Sequence, residues 1–408
     1  MYFEQINIGK VAKVKSGYSF KSKDWQESGV PVVKIANVKD GSLDMQGCSF
    51  VSEEIAQEAR KFRLRRGDIL VSMTGYIGEL ALVRTDEHIL LNQRVGRFDF
   101  LTEDVDRNFF FYALKLPSIK TEMQSHAYGA AQPNISSTLI ENLMIPFPEL
   151  PIQNRIGGIL YSFDDLIENN SKRIKILEEM ARLIYREWFV YYRFPHHETV
   201  KMVDCDLEMR KMPSGWKICP IDDLIEIQSG YPFKSGTFAE GGKWKLVTIK
   251  NVQDGYFVSE CKDKLDELPS NMKDHCHLKD LDILMSLTGN IGRVCLVYGE
   301  DYVLNQRVAK LHPREERFRA FTYCKFRDSD FQKKLELLAN GVAQQNLSPV
   351  ETKRIEILKP TDELMDSFDK IASPMIHLIS LLHKRNNYLR DTRDLLLPKL
   401  ISGQLAVA

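Results

Sequence analysis

The sequence predicts an α+β protein in which two tandem, homologous domains are separated by a pair of long antiparallel coiled-coil helices with pseudo-two-fold symmetry. Three observations predict this fold class. An ordered set of sequence blocks occurs twice, each copy mixes short β-type runs with helical spacing, and each copy is followed by apolar residues at heptad spacing. Because an internal duplication constrains the whole fold, it is considered before the local secondary structure.

The duplication covers most of the chain. SGYSFKS from Ser16 recurs as SGYPFKS from Ser229, 213 positions later. The following pairs come next in the same order: KIANVKDG ending at Gly41 and TIKNVQDG ending at Gly255, LRRGDILVSMTGYIGELALV from Leu64 and LKDLDILMSLTGNIGRVCLV from Leu278, LNQRV from Leu91 and from Leu304, and AQPNIS from Ala131 and AQQNLS from Ala343. The common order and the nearly constant offset indicate a duplicated domain.

Each copy contains both hairpin and helix patterns. Asp68 to Ser72 and Glu79 to Val83 are β-type runs that flank Thr74 to Gly78. This arrangement predicts a β-hairpin whose glycines adopt positive φ. Arg107 to His126 and Arg317 to Asn340 have helical spacing with breaks. The mixture is typical of an α+β domain rather than a regular alternating α/β fold.

Heptad patterns follow each copy and predict two long helices that pair through an apolar seam. The first is expected to begin near Phe163, and Pro398 is expected to kink or end the second. Because domain and helix alternate twice, pseudo-two-fold symmetry would make the helices antiparallel. Asn170, Asn386 and Arg393 are polar residues in this pattern and are predicted to fix its register. The predicted seam consists of Ile167, Asn170, Ile174, Leu177, Ile184, Ile379, Leu382, Asn386, Leu389 and Leu396.

The predicted domain boundaries follow the repeat. Residues 1–150 form the first repeated domain and 151–195 a central helical spacer. Residues 196–365 form the second repeated domain and 366–408 a C-terminal helical spacer.

Composition narrows the class of protein. With 43% hydrophobic and 27% charged residues, the chain is expected to be globular and soluble. No run approaches the roughly 18 apolar residues of a membrane span, and the first residues lack a secretory pattern. The 7 cysteines contain no C-x-x-C pair and fit reduced thiols in a cytoplasm. The 56 basic and 56 acidic residues cancel, so net charge gives no general attraction to a polyanion.

The ordered blocks resemble a known family. SGYSFKS, LNQRV, AQPNIS, LIYREWFVYYRFP, MPSGWKICPIDDLIEIQSG and LLLPKLISGQL together resemble the specificity subunits of type I restriction-modification systems, over essentially the whole chain. One departure is that the first copy lacks a counterpart of Met212 to Trp216.

The resemblance implies a function in DNA recognition. Two target-recognition domains would each read one half of a split double-stranded DNA sequence. The helices would set the gap and dock two methyltransferase (modification) subunits, and motor-nuclease (restriction) subunits would join them. S-adenosylmethionine, ATP and magnesium are expected on those partners, and no cofactor or catalytic activity is expected on this cytoplasmic chain. The sequence also contains no G-x-x-x-x-G-K-[ST] or H-E-x-x-H motif.

The duplication also gives a rule for choosing DNA-binding candidates. Residues identical in both copies should serve the scaffold, the phosphates or features common to both half-sites, whereas variable stretches should read bases. The strongest basic cluster either grips phosphate or reads guanine, or it is a solvated loop. It consists of Arg60, Lys61, Arg63, Arg65 and Arg66, with a weaker counterpart around Lys273, His275, His277 and Lys279.

Shared amide side chains are the second group of candidates. They can bind adenine through two hydrogen bonds, or they can form hydrogen-bonded turns. The candidates are Asn92, Gln93 and Arg94 with Asn305, Gln306 and Arg307, and Gln132 and Asn134 with Gln344 and Asn346.

Other notable residues are given mainly structural roles. Tyr18 and Phe20, with Tyr231 and Phe233, are predicted to be packed aromatics in a turn rather than stacking groups. The aromatic run Trp188 to Tyr192 either docks a partner or packs against the second domain. His275-Cys276-His277 resembles a metal cluster, but adjacent residues rarely close a tetrahedral site.

Two alternative functions remain open. One is an enzyme with a hidden methylation or cleavage site, and the other is a duplicated binding scaffold unrelated to DNA.

Overall fold

The structure is a computed structural model, and it describes residues 3–39, 41–127, 133–207, 210–340 and 346–407. Its contacts divide the chain into two units. Unit 1 comprises Met1–Leu166 together with Leu389–Ala408, and unit 2 comprises Ile167–Tyr388. Segments on either side of unit 2 in the chain therefore fold together.

Unit 1 combines short strands with helices. Its strands are β1 (Gln5–Asn7), β2 (Ala12–Ser16), β3 (Val30–Val33), β4 (Val38–Lys39), β5 (Ser42–Leu43), β6 (Ser49–Val51), β7 (Ile69–Ser72), β8 (Leu80–Leu82), β9 (Leu90–Leu91), β10 (Val95–Phe100) and β11 (Met144–Pro146). Its helices are α1 (Glu53–Glu58), α2 (Arg107–Leu114), α3 (Pro117–Ser125), α4 (Ser137–Glu141) and the first part of α5 (Leu150–Tyr185).

The main sheet of unit 1 has the strand order β2-β10-β7-β8, and all neighbouring strands are antiparallel. In β2, Ala12 and Val14 are buried while the two lysines beside them are exposed, because successive side chains of a strand point to opposite faces. The buried face packs in one hydrophobic cluster with Phe109 and Phe110 of α2. A second sheet has the order β6-β3-β9, in which β3 and β9 are parallel.

The predicted hairpin is confirmed. Strands β7 and β8 are antiparallel, and Gly75 and Gly78 between them have φ values of 72° and 79°. These left-handed conformations favour glycine because it has no Cβ. The predicted helices with breaks are also confirmed, since α2 and α3 form separate helices.

Unit 2 repeats this plan. Its strands are β12 (Met202–Cys205), β13 (Arg210–Pro213), β14 (Lys217–Pro220), β15 (Ile225–Ser229), β16 (Trp244–Val247), β17 (Val252–Gln253), β18 (Tyr256–Phe257), β19 (Lys264–Leu265), β20 (His277–Leu278), β21 (Ile283–Ser286), β22 (Val294–Leu296), β23 (Tyr302–Leu304), β24 (Val308–Pro313) and β25 (Glu356–Lys359). Its helices are α6 (Arg319–Arg327), α7 (Ser329–Asn340), α8 (Pro349–Lys353), the rest of α5, and the first part of α9 (Asp362–Ile401).

The sheets of unit 2 follow the strand order of those of unit 1, with β20 as an additional strand beside β23. The main sheet has the order β15-β24-β21-β22, and β16 pairs with β23 in parallel as β3 does with β9. Strand β14 pairs with β25 as β1 pairs with β11. Met212 to Trp216, which has no counterpart in the first copy, begins with the last two residues of β13 and leads to β14.

Each unit contains a stretch of α5 paired with a stretch of α9. In unit 2, Asn170 contacts Asn386, and the ring of Tyr185 lies 6.3 Å from that of Phe368. Residue numbers rise along one helix as they fall along the other, so the pair is antiparallel, as predicted. In unit 1, α5 and α9 contribute Leu160 and Leu397, among others, to one hydrophobic cluster.

The predicted start of the first long helix is wrong, and so is one of the two alternatives for Pro398, that it ends the second helix. Helix α5 begins at Leu150 rather than near Phe163, because Pro151 suits a helix start and Ile156 extends the buried stripe. Helix α9 continues past Pro398 to Ile401. The proline lies in the last turn, where its carbonyl still accepts a hydrogen bond from Ser402 (3.1 Å) and the neighbouring leucines are buried.

Within the part of the chain that the structure describes, no helix is both long enough and apolar enough to span a membrane.

Candidate nucleic-acid interface

The repeated blocks of unit 1 converge where β2 ends and β10 begins. The backbone N–H of Tyr18 donates to the carbonyl of Leu91 (2.8 Å), and the N–H of Gln93 donates to the carbonyl of Tyr18 (2.9 Å). A Cβ on Gly17 would lie 2.2 Å from the Leu91 carbonyl oxygen, so this approach requires glycine. The blocks SGYSFKS and LNQRV are thus joined through their backbones.

The hairpin and residues 133–135 of the AQPNIS segment bond to the same region. The N–H of Met73 donates to the carbonyl of Arg94 (3.2 Å), and the N–H of Ile135 donates to the carbonyl of Met73 (2.9 Å). The Thr74 hydroxyl donates to the side-chain oxygen of Asn134 (2.9 Å). We call the resulting surface the unit 1 edge; it consists of residues 17–18, 73–78, 92–95 and 133–135.

Unit 2 repeats these backbone bonds at the equivalent residues. The donor and acceptor pairs are Tyr231 to Leu304 (2.9 Å), Gln306 to Tyr231 (3.1 Å), Leu287 to Arg307 (3.0 Å) and Leu347 to Leu287 (2.8 Å). We call this surface the unit 2 edge; it consists of residues 230–231, 287–292, 305–308 and 346–347. Residues that are far apart in the sequence therefore meet in the same way in both copies.

The two candidate asparagines of the LNQRV blocks stabilise turns. Asn92 is buried, and its carbonyl accepts a hydrogen bond from the N–H of Val95 (3.0 Å). Its side-chain oxygen accepts from the N–H of Arg94 (3.3 Å). In unit 2, the carbonyl of Asn305 accepts from the N–H of Val308 (3.0 Å). These turns expose the two residues that follow each asparagine: Gln93, Arg94, Gln306 and Arg307.

The candidate amides of the third block are only partly described. Asn134 is half-buried beside Thr74, and Asn346 is exposed and forms a β-bridge with Thr288. Gln132 and Gln344 lie outside the residues that the structure describes. Asn134 and Asn346 therefore border the hairpin in each unit.

The predicted basic cluster lies beside the unit 1 edge. Phe62, which sits among its basic residues, packs against Tyr18 with ring centroids 5.6 Å apart. Arg66 bonds to the carbonyl of Arg84 (3.0 Å) and lies 3.9 Å from Asp86. The other four side chains are exposed, and within the described residues none of them forms an ion pair: Arg60, Lys61, Arg63 and Arg65. This leaves an exposed positive surface next to the edge.

The counterpart in unit 2 is smaller. Lys273 and Lys279 are exposed, while the ring of His275 contacts the carbonyl of Ser229 (2.9 Å). His277 instead packs edge-on against Trp244. The two histidines thus have separate neighbours, and among the described residues no group of three His, Cys, Asp or Glu side chains could hold a metal ion.

The aromatic residues of the SGY blocks pack against each other. The ring centroids of Tyr18 and Phe20 are 4.8 Å apart, and those of Tyr231 and Phe233 are 5.0 Å apart. The Tyr231 hydroxyl also donates to the side-chain oxygen of Asn271 (2.8 Å). These contacts stiffen the backbone that each edge is built on.

The aromatic run at the end of α5 is mostly internal to unit 2. Trp188 and Phe189 are buried and pack against Phe368. Tyr192 packs edge-on against Trp216. Packing therefore accounts for much of this run.

Asp164 of α5 bonds to other elements of unit 1. Its carboxylate accepts a hydrogen bond from the Tyr112 hydroxyl (2.6 Å), pairs with Arg393 of α9, and lies 3.6 Å from Arg84. Burial acts to raise the pKa of Asp164, but Arg393 and the Tyr112 hydroxyl outweigh burial and hold it below its ordinary value. The predicted register residue Arg393 thus bonds across the helix pair.

Glu178 of α5 forms comparable bonds in unit 2. Its carboxylate accepts hydrogen bonds from Arg327 (3.0 Å) and from the Tyr323 hydroxyl (3.1 Å), both on α6. Burial raises the pKa of Glu178, although these two partners act in the opposite direction. A half-buried acidic residue of α5 therefore bonds to other elements of each unit.

The predicted seam residues lie along the helix pair and are either buried or half-buried. Asn170, Ile174, Ile379, Leu382 and Asn386 are buried. The remaining members are half-buried: Ile167, Leu177, Ile184, Leu389 and Leu396.

The hairpin tip and the two half-buried acids, Asp164 and Glu178, were not predicted from the sequence. Tyr76, at the tip, is 70% exposed. The sequence carries one clue to it, since Tyr76 and Asn290 are the residues that differ between the TGYIG and TGNIG blocks. Asp164 and Glu178 have no such clue, because acidic residues occur at many positions of α5.

Comparison with known proteins agrees with the duplicated fold. The sequence model of the family described as type I restriction modification DNA specificity domain matches residues 2–179 and again residues 213–387. Together the two matches include both edges.

Whole-length relatives have the same description. The type I restriction enzyme MjaVIII specificity subunit of Methanocaldococcus jannaschii is 33% identical, over 92% of this chain and 89% of the relative. The MjaIX specificity subunit of the same organism is 24% identical, over 99% and 96% of the two chains. Among solved structures, the type I restriction-modification S subunit from M. genitalium aligns over 100% of this chain and 97% of its own, with a TM-score of 0.62 and 19% identity.

Proposed function

Because the chain belongs to the family of type I restriction-modification DNA specificity subunits, we propose that each unit reads one half of a split double-stranded DNA target. The observation that carries this proposal is the repetition of one edge in both units, with the same backbone bonds at equivalent residues. Two similar surfaces on one chain suit a target that has two similar halves.

The composition of each edge suits contact with DNA. Its turns expose Gln93 and Arg94 in unit 1, and Gln306 and Arg307 in unit 2. Arginine can bond the O6 and N7 atoms of guanine, and glutamine can bond the N6 and N7 atoms of adenine. Since these residues are identical in both units, they serve features common to both half-sites or contact the phosphates.

The exposed basic cluster supports a phosphate contact in unit 1. Arg60, Lys61, Arg63 and Arg65 are exposed beside the edge. Each neutralised phosphate releases condensed counterions and so adds sequence-independent affinity. The zero net charge of the whole chain limits this contribution. We therefore propose weak DNA binding by the chain alone and strong binding in a complex.

The long helices are proposed to set the gap between the half-sites and to dock two methyltransferase subunits. Helix α5 has 36 residues and thus a length of about 54 Å at 1.5 Å per residue. Within unit 2, Ile176 and Leu183 of α5 are exposed, as are Leu381 and Tyr388 of α9. The members of each pair are seven residues apart, so they share a helix face. Apolar stripes of this kind suit a protein partner.

The chain is proposed to be non-catalytic. In this proposal, S-adenosylmethionine binds to the methyltransferase partners, and ATP and magnesium bind to motor-nuclease partners. The residues of the two edges bind and orient DNA. A purified chain that transfers methyl groups or cuts DNA by itself would contradict this assignment.

Co-expression with a methyltransferase partner tests the function. Adenine methylation should map to a motif with two defined half-sites and a fixed gap. Fluorescent DNA should bind tightly to the complex and weakly to the chain alone at several salt concentrations. Methylation without a split motif, or equal affinity with and without the partner, would contradict the proposal.

A further inference from the structure

The tip of the repeated hairpin has nearly the same glycine conformations in both units but carries a different side chain in each. Thr74-Gly75-Tyr76-Ile77-Gly78 of unit 1 corresponds to Thr288-Gly289-Asn290-Ile291-Gly292 of unit 2. The φ values of the two glycines are 72° and 79° in unit 1, and 74° and 76° in unit 2. The residue that differs lies between the glycines, at the point of the turn.

Backbone hydrogen bonds hold the tip of unit 1. The N–H of Gly78 donates to the carbonyl of Ser72 (3.1 Å), and the N–H of Gly75 donates to the carbonyl of Pro133 (2.9 Å). Ile77 is buried in the core, whereas Tyr76 is 70% exposed. An aromatic side chain that exposed adds little to folding, because folding removes little of its surface from water.

The tip of unit 2 is held in the same manner. The N–H of Gly292 donates to the carbonyl of Ser286 (3.0 Å), and Ile291 packs against the core. The hydroxyl of Ser286 bonds to the backbone carbonyl of Asn290. The Asn290 side chain is exposed, and its amide group faces the guanidinium of Arg293, 3.1 Å away. Both tips thus present one exposed side chain from a fixed turn.

Each tip also adjoins the shared residues of its edge. The bond from Met73 to the carbonyl of Arg94 joins the hairpin to the LNQRV turn, and Leu287 bonds to Arg307 in the same way. A duplex held by the shared residues would therefore lie against the tip. Among the aligned edge residues that the structure describes in both units, the tip is where exposed side chains of different chemistry stand at equivalent positions.

We propose that Tyr76 and Asn290 are specificity-determining residues that contact base edges at equivalent positions of the two half-sites. This inference rests on the proposed function. The amide oxygen of Asn290 is engaged by Arg293, so its N–H groups are left to donate, and they suit the N7 acceptor of a purine. The Tyr76 ring suits an apolar contact with the thymine methyl group. The equivalent positions of the two half-sites therefore differ in preferred base.

Reciprocal substitutions test the proposal. Wild type, Tyr76→Asn and Asn290→Tyr are each co-expressed with the same methyltransferase subunit, and methylated adenines are mapped. Tyr76→Asn should change the base preference at one position of one half-site by about 5- to 150-fold, the usual range for one base contact. Asn290→Tyr should change only the other half-site. Leu101→Asn is the matched control, because Leu101 is 57% exposed but follows the opposite end of β10.

The outcomes separate this inference from the function on which it rests. If wild type methylates a split motif and both variants keep that motif unchanged, the tip does not determine specificity. If a variant abolishes methylation, its complex is tested by competition with DNA in which each base pair is replaced in turn. Altered discrimination at one base pair supports the proposal, and wild-type discrimination at every base pair overturns it. If wild type yields no split motif, the proposed function fails before the variants are compared, and the inference fails with it.

Discussion

The side-chain amide of Asn170 donates a hydrogen bond to the side-chain oxygen of Asn386 at 2.9 Å, and both residues are buried between α5 and α9. Asn386 also donates to the hydroxyl of Ser171 (3.3 Å). Because most of the neighbouring seam residues are apolar, a shift of one helix along the other would leave these amides without partners. The pair therefore opposes other registers of the helices.

Replacing Asn170 alone should destabilise the protein. Asn170→Leu leaves the buried side-chain oxygen of Asn386 without its donor, which should lower the free energy of unfolding by about 1 to 3 kcal/mol. The double variant Asn170→Leu/Asn386→Leu should regain most of that loss, since neither polar group remains. Denaturant unfolding of the two single variants and the double variant measures the coupling. Purely additive effects would show that the bond does not link the helices.

The seam and the hairpin illustrate what the sequence could predict. Asn170 and Asn386 stand out because they are polar residues in an apolar heptad pattern, and the hairpin stands out because Gly75 and Gly78 punctuate two β-type runs. Both features depend on residues close together in the sequence. Buried positions repeat about every 3.6 residues in a helix and every 2 in a strand, so such features are visible in the sequence itself.

The edges and the half-buried acids depend on contacts between distant parts of the sequence, which no local pattern shows. Tyr18 meets Leu91, and Met73 meets Ile135, through backbone hydrogen bonds that any residue type except proline as donor could form. Asp164 has the same chemistry as the exposed acidic residues around it on α5. Only the packing of the helices distinguishes it, through burial and its bonds to Tyr112 and Arg393.

Asp164 should make the stability of unit 1 sensitive to acid. Its folded-state pKa lies below the ordinary value of 3.8, so its ionised form stabilises the fold above that pH. The contribution should be lost as pH falls from about 3.8 through the folded-state pKa. Asp164→Asn should therefore be less stable than wild type at pH 7 by about 1 to 3 kcal/mol, because Arg393 loses Asp164 and keeps the exposed Asp394 as a partner. The difference should shrink in acid, as measured by unfolding across pH.

The Glu178→Gln variant should show the opposite dependence of stability on pH. Burial raises the folded-state pKa of Glu178 above its ordinary value of 4.5. Wild type should therefore gain stability relative to Glu178→Gln as pH falls from the folded-state pKa towards 4.5. The two variants should differ from wild type with opposite pH trends. The same trend for both would contradict the assignment of these two acids.

Lys61 should contribute to DNA affinity without contributing to sequence preference. Lys61→Gln removes one phosphate contact, so the slope of log affinity against log salt should fall by about 0.9 in magnitude. Lys10→Gln is the control, because Lys10 is also exposed but precedes the other end of β2. Titration of target and non-target DNA with the assembled complex measures both slopes. Equal effects of the two variants would exclude a specific role for the basic cluster.

A matched lengthening of both helices should widen the gap between half-sites. Four residues are inserted between Leu166 and Ile167 and four between Tyr388 and Leu389, which leaves the bonds of Asp164 and Asn170 intact. Each insertion adds about 6 Å, equivalent to one or two base pairs at about 3.4 Å each. Both half-sites should survive in the methylation map while the gap increases.

A shorter insertion serves as the control for the gap. Two residues at each of the same points rotate the helices by about 200° and should abolish methylation, because the original facing is lost. An active four-residue variant with an unchanged gap would show that the helices do not set the spacing.

The central claim, that each unit reads its own half-site, is tested most directly by the methylation map of a chimera. Residues 1–149 are replaced by the matching segment of a relative with a different target, so that α5 is retained from Leu150 onward. After co-expression with the methyltransferase partner, one half-site should become that of the relative, while the other half-site and the gap stay unchanged. A map in which both half-sites change, or neither does, would contradict the account.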